Sequence, residues 1–176
     1  MDAARLLGLL RPLLDSVHAR WMLAGGFAVA AWGSARSTFD LDLLVEESDR
    51  SAVRDALTAT GFSTLYDCAG FTNLSHADPG LGRLDLIWIE GQTSLRMFAS
   101  AVEKVGPDGR TALVPSPEHL IAMKVKAIRN RPTRVFRDGE DIRILLSVPG
   151  IDENAVREVF DRNGLTELYA RLKAST

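Results

Sequence analysis

The sequence predicts an α/β chain of the α+β kind: a small mixed β-sheet flanked by helices, followed by a C-terminal helical bundle. Three observations predict it. Strand-like alternation and helical spacing succeed one another as far as Pro115. After Pro115 only helical spacing remains. Glycine and proline punctuate the boundaries, as at Gly25-Gly26, Asp78-Pro79-Gly80 and Arg131-Pro132. A chain of 176 residues is one domain, or one domain with a helical appendage. Residues 1–115 are therefore read as the core, and residues 116–176 as a helical part packed on it.

Leu6, Leu9, Leu10, Leu13, Leu14 and Val17 carry a helical stripe, so Asp2 to Ala19 is read as a helix. A short strand follows at Trp21 to Ala24. Gly25-Gly26 breaks it, and Phe27 to Trp32 reads as a second helix. Leu41 to Val45 is a strand. Asp49 to Thr60 is a helix that Gly61 stops. Phe62 to Tyr66, Phe71 to His76 and Arg83 to Ile89 read as strands, the last two joined at Asp78-Pro79-Gly80. Val102 to Val105 and Thr111 to Val114 flank Pro107-Asp108-Gly109 as a hairpin. Pro117 opens a helix through Asn130. Further helices are read at Thr133 to Ser147, Asp152 to Arg162 and Leu165 to Lys173.

Composition removes several classes of function. With one cysteine, Cys68, neither an intrachain disulfide nor a cysteine zinc cluster is possible. His18, His76 and His119 lack metal-ligand spacing. There is no Gly-x-Ser-x-Gly elbow, and no glycine-rich loop ends in Gly-Lys-Ser/Thr. Arg11 and Pro12 interrupt the apolar N-terminal stretch, so it does not read as a signal peptide. The longest apolar run, Phe27 to Trp32, is far short of the roughly 20 residues of a membrane span. The expectation is a cytoplasmic protein with no membrane partner.

The sharpest chemical signal is Asp40-Leu41-Asp42. Alternate residues of a strand share a face, so both carboxylates project together while Leu41, Leu43 and Val45 point to a core. Like charges this close repel unless a cation lies between them. Magnesium suits: it takes oxygen ligands and leaves positions for phosphate oxygens. A third acid, Asp85, sits in the strand Arg83-Leu84-Asp85-Leu86-Ile87-Trp88. If the two strands are neighbours, three carboxylates converge and can hold two ions roughly 3.5–4 Å apart, the clamp used in phosphoryl transfer. Alone, Asp-x-Asp is as readily a solvated strand end, and Asp85 could pair with Arg83. Gly25-Gly26, between strand and helix, lets backbone N–H groups approach a phosphate; alone it is equally a tight connection.

Together these residues resemble the polymerase-beta-type nucleotidyltransferase superfamily, whose pattern is a Gly-Gly or Gly-Ser turn, a helix, an Asp-x-Asp strand and a later third acid. The resemblance spans Leu23 to Leu146. Gly33-Ser34 is too near Asp40 to leave room for a helix, so Gly25-Gly26 is taken as the turn. Arg36-Ser37-Thr38-Phe39-Asp40-Leu41-Asp42 is further similar to the AbiEii-type group related to abortive-infection toxins. So are the lysine helix from Ser116 to Lys124 and the later Arg137-Asp138-Gly139-Glu140-Asp141.

The resemblance implies a transferase moving a nucleoside monophosphate from a nucleoside triphosphate to an acceptor hydroxyl. Asp40, Asp42 and Asp85 would bind two magnesium ions, or manganese in their place. Gly25, Gly26, Arg36 and Thr38 would contact the nucleotide. Lys124 would stabilise charge on pyrophosphate, with Asp138 in the same constellation. RNA, a tRNA 3′ end or a protein would be the acceptor, and an antitoxin the partner. Alternatives are an aminoglycoside-type small-molecule acceptor, or a non-catalytic relative that binds a nucleotide or a partner.

Two features of the helical part also read without the resemblance. Lys124 falls inside the stripe of Leu120, Ile121, Val125 and Ile128, so it needs a nearby anion or must snorkel. From Lys124 to Arg143 there are seven basic and three acidic residues, a stretch suited to phosphates or to a solvated face.

Overall fold

The computed structural model describes residues 1–35 and 37–174. Contacts divide the chain into two compact units, Met1–Ala31 with Arg36–Pro115, and Trp32–Ala35 with Ser116–Thr176.

The first unit is built on a five-stranded mixed sheet in the order β1-β2-β5-β4-β3. The strands are β1 (Trp21–Leu23), β2 (Leu41–Glu46), β3 (Phe62–Cys68), β4 (Phe71–His76) and β5 (Arg83–Ile89). Only β2 and β5 run parallel; the other pairs are antiparallel. Leu41, Leu43, Val45, Leu84, Leu86, Trp88 and Leu74 share one face by register, and all are buried. Trp88 donates its indole N–H to the buried Thr72 hydroxyl at 2.9 Å, which lets a polar strand position face the core. Trp21 and Trp32 are only half-buried.

The helices follow their caps and stripes. Helix α1 (Ala3–Ser16) begins where the Asp2 carboxylate accepts from the Arg5 amide at 3.0 Å, a cap worth about 1 kcal/mol. It buries Leu6, Leu7, Leu10 and Leu14. It also buries Arg11, whose guanidinium grips Asp108 with two bonds, Nε to Oδ2 at 2.6 Å and Nη2 to Oδ1 at 3.0 Å. Asp108 sits in the turn of the hairpin β6 (Val102–Val105) and β7 (Thr111–Val114), so the first helix and the last hairpin of the unit are joined by a part-buried ion pair.

Helix α2 (Gly25–Ala31) lies against β2, and α3 (Arg50–Ala59) follows a single turn of 3₁₀ helix at Glu47–Asp49. Gly61, at φ +96°, ends α3 as expected. Helix α4 (Gly91–Ala99) is not predicted from the sequence: it is short, opens on Gly91-Gln92-Thr93-Ser94, and buries only Ser94 and Met97.

The second unit holds α5 (Pro117–Asn130), α6 (Val135–Leu146), α7 (Glu153–Arg162) and α8 (Thr166–Lys173). Ser116 caps α5 by accepting from the His119 amide, with Pro117 in the first turn. Asp152 caps α7 by accepting from the amides of Asn154 and Ala155, both at 3.0 Å. Helix α5 packs on α6 and α7, and α8 packs on both of those. Among the described residues, no helix is long and apolar enough to cross a membrane.

Candidate active site

Asp42 and Asp85 are register partners across the parallel pair of β2 and β5. Partners in register point to the same face, opposite the buried Leu41, Leu43, Leu84 and Leu86. Both aspartates are half-buried. The juxtaposition follows from β5 joining β2 rather than β1, which puts the second acid-bearing strand beside the first.

Asp40 differs from expectation. The strand begins at Leu41, and Asp40 occupies a bend just before it, so strand alternation does not by itself aim its carboxylate. The Thr38 hydroxyl accounts for the bend: it donates toward the Asp40 carbonyl at 3.3 Å and its Oδ1 at 3.4 Å, local bonds that compete with the ladder. Asp40 nevertheless acts on Asp85. Burial pushes the Asp85 carboxyl above its ordinary value, and the charge of Asp40 pushes it further. The bond from Asn73 and the charge of Arg83 oppose the shift.

Asn73 is the residue that sequence reasoning misses. It is the register partner of Asp85 on β4, and its side-chain amide donates to Asp85 Oδ1 at 2.7 Å. A neutral amide carries no motif. The available signal was its place in Phe71 to His76, where alternation puts it on the face opposite the buried Thr72 and Leu74.

Gly25 packs directly on the site. A Cβ built there would lie 1.8 Å from Asp42 Oδ2, and its φ is +55°. The Ala24 amide donates to the Asp42 carbonyl at 2.9 Å, which carries the β1–β2 pairing to the last residue before the turn. The Ala28 amide bonds back to Ala24 at 3.1 Å, so the helix starts at Gly25 and not, as expected, at Phe27. The glycine pair is the first turn of α2. Glycine tolerates the positive φ that turns strand into helix without a spacer.

Among the described residues, no three His, Cys, Asp or Glu side chains are gathered tightly enough to hold a metal ion by themselves. The donor set is still hard oxygen: two in-register carboxylates with a third at the start of β2. That fits an ion such as magnesium, which binds one or two carboxylates and completes its shell with water and substrate phosphates.

In the helical unit the predicted Lys124 and Asp138 do meet. The Lys124 ammonium donates to Asp138 Oδ1 at 3.2 Å and Asp141 Oδ2 at 2.5 Å. Both aspartates are fully buried and Lys124 nearly so. Arg134 Nε adds a bond to Asp138 Oδ2 at 2.6 Å. Asp138 and Asp141 therefore neutralise the buried Lys124, with Arg134 as a half-buried second cation on Asp138, and two of the lysine's N–H bonds are used inside the unit. Arg36 lies outside the described residues.

No protein-family model matches the sequence, and no curated protein does. Solved structures do match. The antibiotic-resistance factor ANT(2″)-Ia, determined in solution, is 17% identical, covering 98% of this chain and 95% of its own, with a TM-score of 0.68. The crystal structure of the same factor in complex with adenylyl-2″-tobramycin matches over 96% of this chain and 97% of its own at 17% identity, TM-score 0.66. The lincosamide antibiotic adenylyltransferase LnuA, lincomycin-bound, is 18% identical over 82% of this chain and 96% of its own, TM-score 0.56. At such identities the likeness is one of architecture: this chain has the mixed-sheet fold of these nucleotidyltransferases.

Proposed function

We propose that this chain is a nucleotidyltransferase that moves a nucleoside monophosphate from a nucleoside triphosphate to an acceptor hydroxyl. The observation that carries the reading is the in-register pairing of Asp42 with Asp85, with Asp40 at the start of the same strand. Such a set suits a reaction in which polyphosphate charge must be managed at one spot. The shared fold agrees with it.

Asp40, Asp42 and Asp85 would hold the divalent ions, magnesium or manganese. When bound, such ions neutralise phosphate charge and polarise the phosphoryl group. The chain's own residues do the rest. Gly25 keeps the first turn of α2 close against Asp42, so the triphosphate has backbone rather than side chains beside the acids. Thr38 holds the bend that carries Asp40. Asp85, whose carboxyl is pushed up by burial and by Asp40, takes the proton of the acceptor hydroxyl. The freed oxygen bonds to the α-phosphorus, the bond from that phosphorus to the bridging oxygen breaks, and pyrophosphate leaves. Positioning and charge supply most of the acceleration.

The test is pyrophosphate release from nucleoside triphosphate with magnesium and an acceptor panel of tobramycin, lincomycin and total tRNA. The wild type should release it with at least one acceptor, and Asp42→Ala should reduce the rate about 10³-fold. Release that survives Asp42→Ala unchanged would falsify the reading.

A second reading, an AbiEii-type toxin acting on tRNA or protein beside an antitoxin, is favoured by one observation. The Lys124, Asp138 and Asp141 set that marks the resemblance forms a single buried cluster. Transfer to tRNA or to a cellular protein in the same assay decides for it. In that reading Lys124, Asp138 and Arg36 carry the phosphate-binding roles that the resemblance assigns to them.

A further inference from the structure

The sheet face that carries Asp42 and Asp85 is not acidic throughout. Arg83 stands two residues before Asp85 on β5, so it shares that face at about 7 Å along the strand. It precedes Leu84 as Asp40 precedes Leu41, which sets it level with the acid at the start of β2. Its charge is felt at Asp85.

Two hydroxyls continue the row. Arg83 is the register partner of Ser75 on β4, and Ser75 is the partner of Ser63 on β3. Beyond Thr64 the register of β3 slips by one residue and leaves Leu65 extra, so Ser63 and Tyr66 both fall on this face. In the adjacent row, Asn73 and Asp85 bond to each other. Arg83, Ser75 and Ser63 differ: among the described residues their side chains make no hydrogen bond or ion pair, and Arg83 is exposed.

The chemistry of this row selects an anion. A guanidinium has five N–H donors and no acceptor, in a fork that matches phosphate or carboxylate. Arg83 has carboxylates beside it on β2 and β5 and is ion-paired with neither. Those acids are the donor set for divalent ions, which leaves the fork for a different oxyanion. An ammonium-bearing acceptor would meet like charge there.

The in-line course of the displacement assigns that oxyanion to the acceptor. Attacking and leaving oxygens lie roughly in line through the α-phosphorus. Gly25 and the first turn of α2 flank Asp42 from the β1 side, while Arg83 and the two serines lie on the β5-β4-β3 side. With pyrophosphate leaving toward the turn, the acceptor enters beside Arg83.

We propose that Arg83, with Ser75 beside it, is the specificity residue for an anionic acceptor: it binds a phosphate carried on the same sugar as the hydroxyl that Asp85 addresses. The inference rests on the transferase reading and goes beyond it by naming the acceptor's charge and the residue that selects it. The transfer itself is unchanged: the acceptor oxygen bonds to the α-phosphorus and pyrophosphate leaves.

The test compares matched acceptors with and without the phosphate. Ribose 5-phosphate against ribose represents a free sugar phosphate, and the dinucleotide ApA against adenosine represents a nucleic-acid end. The full chain carries Arg83→Gln, Arg83→Lys or Ser75→Ala, with Arg96→Gln on exposed α4 as a charge control. Thermal unfolding checks that each variant is folded. Wild type should favour the phosphorylated member of at least one pair about tenfold or more in kcat/KM. Arg83→Gln should shrink that preference to about twofold or less, and Arg83→Lys should keep part of it. Because the preference is a ratio, any effect of Arg83 on Asp85 common to all acceptors cancels. Arg96→Gln should leave it unchanged. Calorimetry of ribose 5-phosphate and ApA on the chain with magnesium and an α,β-methylene triphosphate gives binding without turnover. Equal use of both members by the wild type overturns the assignment. So does a preference that survives Arg83→Gln, a rise in KM for the triphosphate alone, or failure of the wild type to bind or use either phosphorylated probe. If the phosphorylated probes bind through Arg83 and no pyrophosphate is released, the assignment stands and the transferase reading falls. If release proceeds with acceptors indifferent to Arg83, the reverse holds.

Discussion

The Asn73 side-chain amide donates to Asp85 Oδ1 at 2.7 Å, and this neutral donor holds down a carboxyl that burial and Asp40 both push up. Removing it leaves the upward pushes unopposed except by Arg83. Asn73→Ala should therefore move the acid limb of the kcat/KM profile to higher pH. The loss of rate should be several-fold larger at pH 6 than at pH 8. Asn73→Ser, which can still donate, should recover part of the shift. A uniform loss at all pH values would show that Asn73 acts only on folding.

Asp85 predicts an opposite effect on activity and stability. A carboxyl held above its unfolded value in the folded state binds more protons folded than unfolded, so it costs stability as pH rises through and beyond that window. Asp85→Asn keeps an oxygen for Asn73 while removing the charge. It should abolish pyrophosphate release yet raise stability by about 1 kcal/mol at neutral pH, and the gain should vanish below about pH 4. Thermal melts at pH 3.5, 5 and 7 measure it.

Gly25 and Gly8 make a contrasting pair. A methyl group at Gly25 meets Asp42 Oδ2 at 1.8 Å, at a φ that L-residues avoid. Gly25→Ala should cost about 1–3 kcal/mol and, by displacing Asp42, reduce activity more than the stability loss explains. At Gly8, inside α1 and exposed, nothing lies within 4 Å of an added Cβ. Gly8→Ala should add about 0.5–1 kcal/mol and leave the rate alone. Urea unfolding and initial rates on both variants compare the two effects.

Lys124 should behave first as a structural cation. Lys124→Met takes the ammonium from the fully buried Asp138 and Asp141, while Asp138 keeps its ion pairs with Arg134 and Arg137. Breaking such a cluster from one side costs about 3–5 kcal/mol. Adding Asp141→Asn to Lys124→Met should restore part of that stability, as denaturant midpoints would show. If the single variant unfolds like the wild type, the ammonium is not what holds the cluster.

Much of this was legible in the sequence because periodicity reports burial. Phe71 to His76, Arg83 to Ile89 and the hairpin strands emerge with the boundaries that alternation predicts. Asp42 and Asp85 were visible as acids in apolar strands, and Lys124 as a cation in an apolar stripe. What the sequence hides is pairing. The neighbouring of β2 and β5, the register of Asn73 against Asp85, and the one-residue slip at Leu65 all depend on tertiary choice rather than local pattern. The bend at Asp40 depends on a threonine hydroxyl competing with a ladder, and α4 is too short and polar to announce itself.

The grip of Arg11 on Asp108 bears on the order in which the chain can be made. Helix α1 leaves the ribosome early carrying a guanidinium destined for the interior, and its counterion follows only after all five strands of the main sheet have been synthesised. Until then that side of α1 cannot close without stranding a charge away from water. The first unit should thus keep one flank open until the hairpin of β6 and β7 has been made, and shut it in a single step when that hairpin arrives.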